Sequence, residues 1–108
     1  MMTTFDKREE AFESQFAHDE ELRFKATARR NRLLGQWAAH KLGLTGADAA
    51  AYAKAVVMAD FDEASTHDPV GKVRQDFDAK GVSVTDDEIR RVMTELGARA
   101  VAEIKAGT

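Results

Sequence analysis

The sequence predicts an all-α fold, a four-helix bundle, and composition is the first reason. The chain has 108 residues and one proline, Pro69, and it is rich in the residue types that favour helices, whereas β-branched residues do not alternate as they do in strands. Apolar residues make up 44% of it and charged residues 32%, which suits one packed core under a solvated surface. We expect this bundle to carry a mobile or weakly helical N-terminal arm.

The first helical region is the longest. No proline interrupts residues 5–42, and Gly43 stands where the residue after a helix end is expected. We expect this region to be either continuous or bent near residues 18–19. Within it, one apolar stripe that faces the bundle core consists of Leu22, Ala26, Leu33 and Trp37.

A second stripe in the same region consists of Phe5, Phe12 and Phe16, which fall within about 40° of one another on a helical wheel. It is rotated by roughly 70° from the core stripe, and its continuation meets charged residues that a core accommodates poorly. We therefore divide the chain into an arm, residues 1–19, and a bundle, residues 20–108. Two interpretations of the Phe stripe stay open: part of the core, or a helix that fits into a partner's groove.

Three further helices have recognisable ends. Thr45-Gly46-Ala47-Asp48 is a capping pattern that opens the second helix, whose apolar face is predicted to include Phe61. Asp68-Pro69 opens the third as N-cap and first helical residue, and Gly81 ends it. Thr85 and Glu88 form a capping box at the start of the fourth, which is expected to end near Ala106.

Charge is distributed unevenly along the first third of the chain. Residues 1–21 hold seven acids and two bases, and residues 23–32 hold five bases and no acid. One interpretation is phosphate binding, in a nucleic-acid-associated protein or helical adaptor, through Arg23, Arg29, Arg30 and Arg32. The favoured interpretation is a solvated face or an intramolecular charge partner, because Phe24 is the only aromatic residue in the run. With a formal net charge of −3, we expect no nucleic-acid partner.

The sequence offers no site for catalysis. Cysteine is absent, which excludes disulfides, thiolate metal sites and cysteine nucleophiles. His18, His40 and His67 are too far apart for a motif, and no glycine-rich phosphate loop or nucleophile elbow occurs. We expect a protein that is not an enzyme and holds no cofactor or metal. The chain shows no signal peptide and no apolar run of about 18 residues, so we expect a cytoplasmic protein that does not insert into membranes.

The first third of the chain resembles a known family. The resemblance rests on residues 5–13, on residues 16–22 and above all on residues 28–39, Ala-Arg-Arg-Asn-Arg-Leu-Leu-Gly-Gln-Trp-Ala-Ala. These stretches are similar to the zeta subunit family, the natural inhibitor of bacterial F-type ATP synthase. The similarity extends over the whole chain.

This resemblance implies a four-helix bundle with a disordered inhibitory N-terminus. In the family, the N-terminal arm enters a catalytic interface between the α and β subunits of the synthase head and reaches the γ subunit, which blocks ATP hydrolysis and leaves synthesis largely free. Carried onto this sequence, the partner-binding residues are Phe5, Arg8, Glu9, Phe12 and Phe16. The resemblance further implies a protein that is monomeric when free and peripheral at the inner membrane through the synthase.

Overall fold

The computed structural model describes residues 19–61 and 68–107, and within these residues the chain forms helices and no strand. The helices are α1 (Glu20–Lys41), α2 (Gly46–Ala59), α3 (Pro69–Lys80) and α4 (Asp86–Gly107). The predicted all-α fold with four helices is therefore confirmed. Residues 1–18 of the predicted arm, 1–19, lie outside the described residues, as do residues 62–67 between α2 and α3.

Side-chain caps start three of the four helices. The Asp19 carboxylate accepts from the Leu22 amide at 3.1 Å, Asp68 accepts from the Gly71 amide at 2.7 Å, and the Thr85 hydroxyl accepts from the Glu88 amide at 3.1 Å. Each bond satisfies a first-turn N–H that the helix itself leaves without an acceptor. The predicted starts of α3 and α4 are thus confirmed.

The second helix starts after Thr45 as predicted, but the predicted side-chain cap is wrong. Thr45 occupies the N-cap position, but its side chain makes no capping hydrogen bond. The next residue, Gly46, has a φ of +56°, so the chain enters α2 through a left-handed residue and the Thr45 hydroxyl does not meet the first-turn amides. Gly81, the predicted C-terminal end of the third helix, has a left-handed backbone with φ +71° and ends α3 as expected.

Helix α1 lies at the centre of the bundle and packs mainly against α2 and α4, while α3 packs against α2 and α1. The predicted core stripe of α1 is confirmed, because Ala26 and Leu33 are buried and Leu22 and Trp37 are partly buried. The main core contains Leu34, Ala38, Val56, Val73, Phe77, Val84, Ile89 and Val92. A smaller cluster, Ala26 with Val101 and Ile104, lies under the N-terminal half of α1.

The contact between α1 and α2 depends on Gly35. A Cβ atom at this position would lie 2.6 Å from the Cα of Ala53 on α2, a distance that non-bonded carbon atoms cannot adopt. The absence of a side chain at Gly35, together with the single methyl of Ala53, therefore allows the two helix backbones to approach closely. This close approach fixes the position of α2 on the central helix.

Candidate partner-binding surfaces

The residues that the sequence predicts to bind a partner lie outside the described part of the chain. Phe5, Arg8, Glu9, Phe12 and Phe16 all precede residue 19, where description begins. Helix α1 starts at Glu20, behind the cap that Asp19 supplies. Asp19 itself has extended backbone angles, φ −135° and ψ 98°, so it does not belong to the helix. The partner-binding roles of the five residues before residue 19 remain predictions.

An apolar patch is exposed at the end of the bundle where α1 begins and α2 ends. Its members are Phe24 (58% exposed), Met58 (51%) and Phe61 (43%). The rings of Phe24 and Phe61 are in contact, with their centroids 5.2 Å apart. The prediction that Phe61 belongs to the core-facing side of α2 is wrong. The helix ends at Ala59, so Phe61 lies beyond the last turn and packs on Phe24 at the surface.

An open groove of about 710 Å³ begins at Phe24 and runs along α1, and we call it the Phe24 groove. Its apolar lining comes from α1, α2 and α4, and its polar rim is mostly basic. The lining residues are Phe24, Lys25, Ala28, Arg29, Arg32, Leu33, Gln36, Val57, Glu103 and Ile104. An apolar concavity with a polar rim is typical of a binding site.

The rim of the Phe24 groove is net positive. Lys25 lies 3.3 Å from Glu21, and Arg29 lies 3.6 Å from Glu103, the one acid in the lining. Both pairs are solvent-exposed, so neither holds its cation strongly. Arg32 is exposed and makes no ion pair with any described residue. The groove therefore favours an anionic apolar ligand.

Helix α1 separates the four arginines of the phosphate-binding interpretation. Arg29 and Arg32 line the Phe24 groove. Arg23 and Arg30 do not line it and are half-buried, and the Arg30 Nε donates to the Asn31 side-chain oxygen at 3.4 Å. The groove therefore collects two of the four arginines of the phosphate-binding interpretation.

Asn31 is a buried polar residue that the sequence alone did not single out. Its side chain is fully buried, and its Nδ2 has no hydrogen-bond partner among the residues that the structure describes. Its side-chain oxygen accepts a long bond, 3.4 Å, from Arg30. An unsatisfied buried amide costs about 1–3 kcal/mol of folding free energy.

A second cleft, of about 370 Å³, lies between α2 and α3 and the loop that follows α1. Within it the Tyr52 hydroxyl donates to Asp76 at 2.7 Å, and Lys72 Nζ lies 3.1 Å from the same carboxylate oxygen. Lys72 also lies 5.3 Å from the centre of the Tyr52 ring. Burial, and then the hydrogen bond and charge of Asp76, raise the pKa of Tyr52 well above its usual value. These groups satisfy one another and join α2 to α3.

The described ranges, 19–61 and 68–107, contain no group of three or more metal-ligating side chains close enough to hold an ion. None of the four helices is both long and apolar enough to span a membrane.

The comparisons with known proteins bear on the whole chain. A family model described as ATPase inhibitor subunit zeta matches residues 2–103. The chain belongs to the ATPase inhibitor subunit zeta family. The match includes residues 5–16 as well as the whole of α1. It is a family of regulatory inhibitors, and its name implies an interaction with an ATPase.

A solved structure supports the fold of this zeta family member. The chain is similar to a protein whose solution NMR structure is known, with a TM-score of 0.67 and 42% sequence identity over 81% of this chain and 99% of that one. A comparison with curated proteins finds no match.

Proposed function

We propose that this protein inhibits ATP hydrolysis by a bacterial F-type ATP synthase, through insertion of residues 1–19 at an α/β catalytic interface of the synthase head. The observation that carries the proposal is the family match over residues 2–103, which includes the predicted anchors. The protein acts by binding and not by chemistry. It works as a monomer, on the cytoplasmic side of the inner membrane, where it is held by the synthase.

The arrangement of the bundle supports the assignment of partner binding to the arm, residues 1–19. The positions where the Phe stripe would continue along α1 do not enter the core, because Asp19 is exposed and Arg23, Thr27 and Arg30 are half-buried. The bundle interior therefore does not continue the Phe stripe, which supports the proposal that Phe5, Phe12 and Phe16 bind a partner.

The predicted contacts of the arm follow from its side chains. Phe12 and Phe16 lie one helical turn apart and serve as buried anchors, which is where most of the binding free energy of an interface resides. Phe5 extends the same face, and it reaches toward the γ subunit. Arg8 and Glu9 pair with charged walls of the interface and mainly set orientation and association rate.

The decisive experiment adds the purified protein to the matching synthase head and follows ATP hydrolysis. The full chain should inhibit, and a chain without residues 1–16 should retain the helical circular dichroism of the bundle yet not inhibit. ATP synthesis measured in parallel should be much less affected. A truncated chain that is folded and inhibits as strongly as the full chain would contradict the proposal.

Single substitutions test the anchors. Phe12→Ala and Phe16→Ala should each weaken inhibition by about 2 kcal/mol or more, roughly thirtyfold in the inhibition constant. The matched control is Phe24→Ala, which removes an exposed ring from the bundle itself and should weaken inhibition less than either arm variant does. Equal inhibition constants for the parent and both arm variants would remove the anchors from the proposal.

A further inference from the structure

We propose that the Phe24 groove is a second contact with the synthase head, and that it binds an acidic amphipathic helix on the outer surface of that head. The inference rests on the proposed function, because it takes the partner of the arm as the partner of the bundle. Its first support is the apolar patch that shares Phe24 with the groove. Phe24, Met58 and Phe61 are all more than 40% exposed, and clustered apolar side chains of this size at a surface are typical of a protein interface.

Charge determines the sign of the ligand. The groove rim holds Lys25, Arg29 and Arg32 against a single acid, Glu103. Glu103 is itself shared between Arg29, at 3.6 Å, and Arg99 outside the groove, at 2.8 Å. It therefore leaves most of the positive charge of the rim available to a ligand. An acidic segment is attracted to this rim, and a basic segment is repelled.

The shape of the groove favours a helix as the ligand. From Phe24 to Gln36 the groove follows α1 for about 18 Å, which is the length of about three helical turns. Its floor is apolar and includes Leu33, Val57 and Ile104. Residues 19–61 and 68–107 contain no strand whose edge could pair with an extended peptide. A helix forms its own backbone hydrogen bonds, so it can lay apolar side chains at i, i+3 or i+4, and i+7 on this floor with no backbone group left unpaired.

The position of the groove on the bundle identifies the source of that helix. The groove begins at Phe24, and α1 begins at Glu20, a separation of about 6 Å along the helix axis. The proposed arm ends at residue 19, so the groove opens beside the point where the bundle meets the protein that the arm enters. Once the arm is bound, the groove faces that protein at high effective concentration, and its contact needs little affinity of its own.

Photocrosslinking of the full chain on the purified synthase head tests this contact. Because the chain has no cysteine, one introduced cysteine carries a benzophenone at a single known position. Gln36→Cys places the probe in the groove, and Gln75→Cys, exposed on α3 and outside the groove, is the control. Mass spectrometry should map the crosslinks from position 36 to one helical segment of the head that has more acidic than basic residues. Position 75 should not crosslink to that segment.

Three outcomes of the crosslinking would overturn the contact. Equal yields on the same segment from both positions would show that the groove is not a preferred surface. Crosslinks from position 36 to a basic segment, or to many unrelated segments, would exclude the acidic helix. Crosslinks from position 36 only to a second copy of this chain would assign the groove to self-association.

Charge reversal provides an independent test through the inhibition constant. Arg29→Glu combined with Arg32→Glu should raise this constant about three- to tenfold, because two exposed attractions become repulsions. Phe24→Ala should raise it by a similar factor. The matched control, Arg90→Glu with Arg91→Glu, makes an equal change of charge on exposed positions of α4 and should leave it unchanged. The difference between the parent and the groove double variant should shrink as salt is added, because salt screens exposed charges.

These measurements separate failure of the groove contact from failure of the proposed function. Inhibition that is equal for the parent and the groove variants, with no crosslink from position 36, would overturn the groove contact and leave the proposed function in place. Crosslinking from position 36 without any inhibition would do the reverse. A chain that neither inhibits nor crosslinks would overturn both.

Discussion

The two halves of α1 meet the rest of the bundle in different ways. The C-terminal half is packed against the other helices. Leu34 and Ala38 are fully buried in the main core, and Gly35 allows α2 to approach the backbone of α1. Among the residues that the structure describes, the N-terminal half is covered less: Ala26 packs in a small cluster with Val101, Ile104 and Leu22, and Phe24 is exposed. One half of the helix stabilises the fold, and the other half offers a surface.

The difference shows that apolar content alone does not locate a core. Phe24 is larger than Leu34, yet Phe24 is 58% exposed and Leu34 is fully buried. What distinguishes the two residues is how many other helices pack around each of them. Leu34 lies in the core cluster that includes residues of α3 and α4, whereas Phe24 has the single aromatic neighbour Phe61 beyond the end of α2.

The largest expected effect is a loss of stability from a substitution in the C-terminal half of α1. Leu34→Ala should lower the free energy of unfolding by about 2–5 kcal/mol, because it removes buried methyl groups and leaves a cavity. Phe24→Ala, the matched change on the N-terminal half, should cost less than about 1 kcal/mol, mostly from the lost contact with Phe61. Urea unfolding followed by circular dichroism measures both. Equal costs for the two variants would show that the halves do not differ as described.

The next effect concerns the approach of α1 to α2. Gly35→Ala should destabilise the bundle by about 1–3 kcal/mol, since the added methyl would overlap the backbone of Ala53 and force the helices apart. Gly107→Ala is the control, because a Cβ there meets no atom within 4 Å. Thermal unfolding of both variants makes the comparison, and a stable Gly35→Ala protein would argue against the tight interface.

A smaller effect, of opposite sign, is expected at Asn31. Asn31→Leu should raise stability by about 1 kcal/mol, because it replaces an unsatisfied buried amide with an apolar group of similar size. Asn31→Asp should lower stability, since it places a charge in the same apolar site. Denaturant midpoints compare the two variants, and a destabilised Asn31→Leu protein would indicate that the amide has a partner in the folded protein.

The smallest effect is a shift in titration at Tyr52, the only tyrosine of the chain. Its pKa is raised in the folded protein, so its contribution to stability is complete below the usual value of about 10. That contribution decreases as the pH rises above 10. Tyrosinate absorbance should therefore appear only at a pH well above that of free tyrosine.

The control for this titration is Tyr52→Phe, which should lose less stability than the parent between neutral pH and pH 11. The difference should stay below about 1 kcal/mol, because solvent screens this half-buried group. Ionisation at the pH of free tyrosine would show that the bond to Asp76 does not persist in solution.

The sequence by itself determined the four helices and several of their ends. Proline at position 69, glycine at 81 and the threonine and glutamate of the last capping box act through local backbone chemistry, and each of these ends lies where it was predicted. It also determined the family, because residues 28–39 and the flanking stretches carry a specific pattern. The Phe stripe, with its predicted partner residues, remains a sequence-based prediction.

Only the tertiary structure decided which apolar residues are buried and which basic residues share a surface. Helical periodicity places Phe61 on an apolar face but does not show that α2 stops at Ala59, before that face is covered. Likewise, the basic run is one block in the sequence, yet Lys25, Arg29 and Arg32 line the Phe24 groove and Arg23 and Arg30 do not. Periodicity describes one helix at a time, whereas burial and grooves depend on how several helices are placed around it.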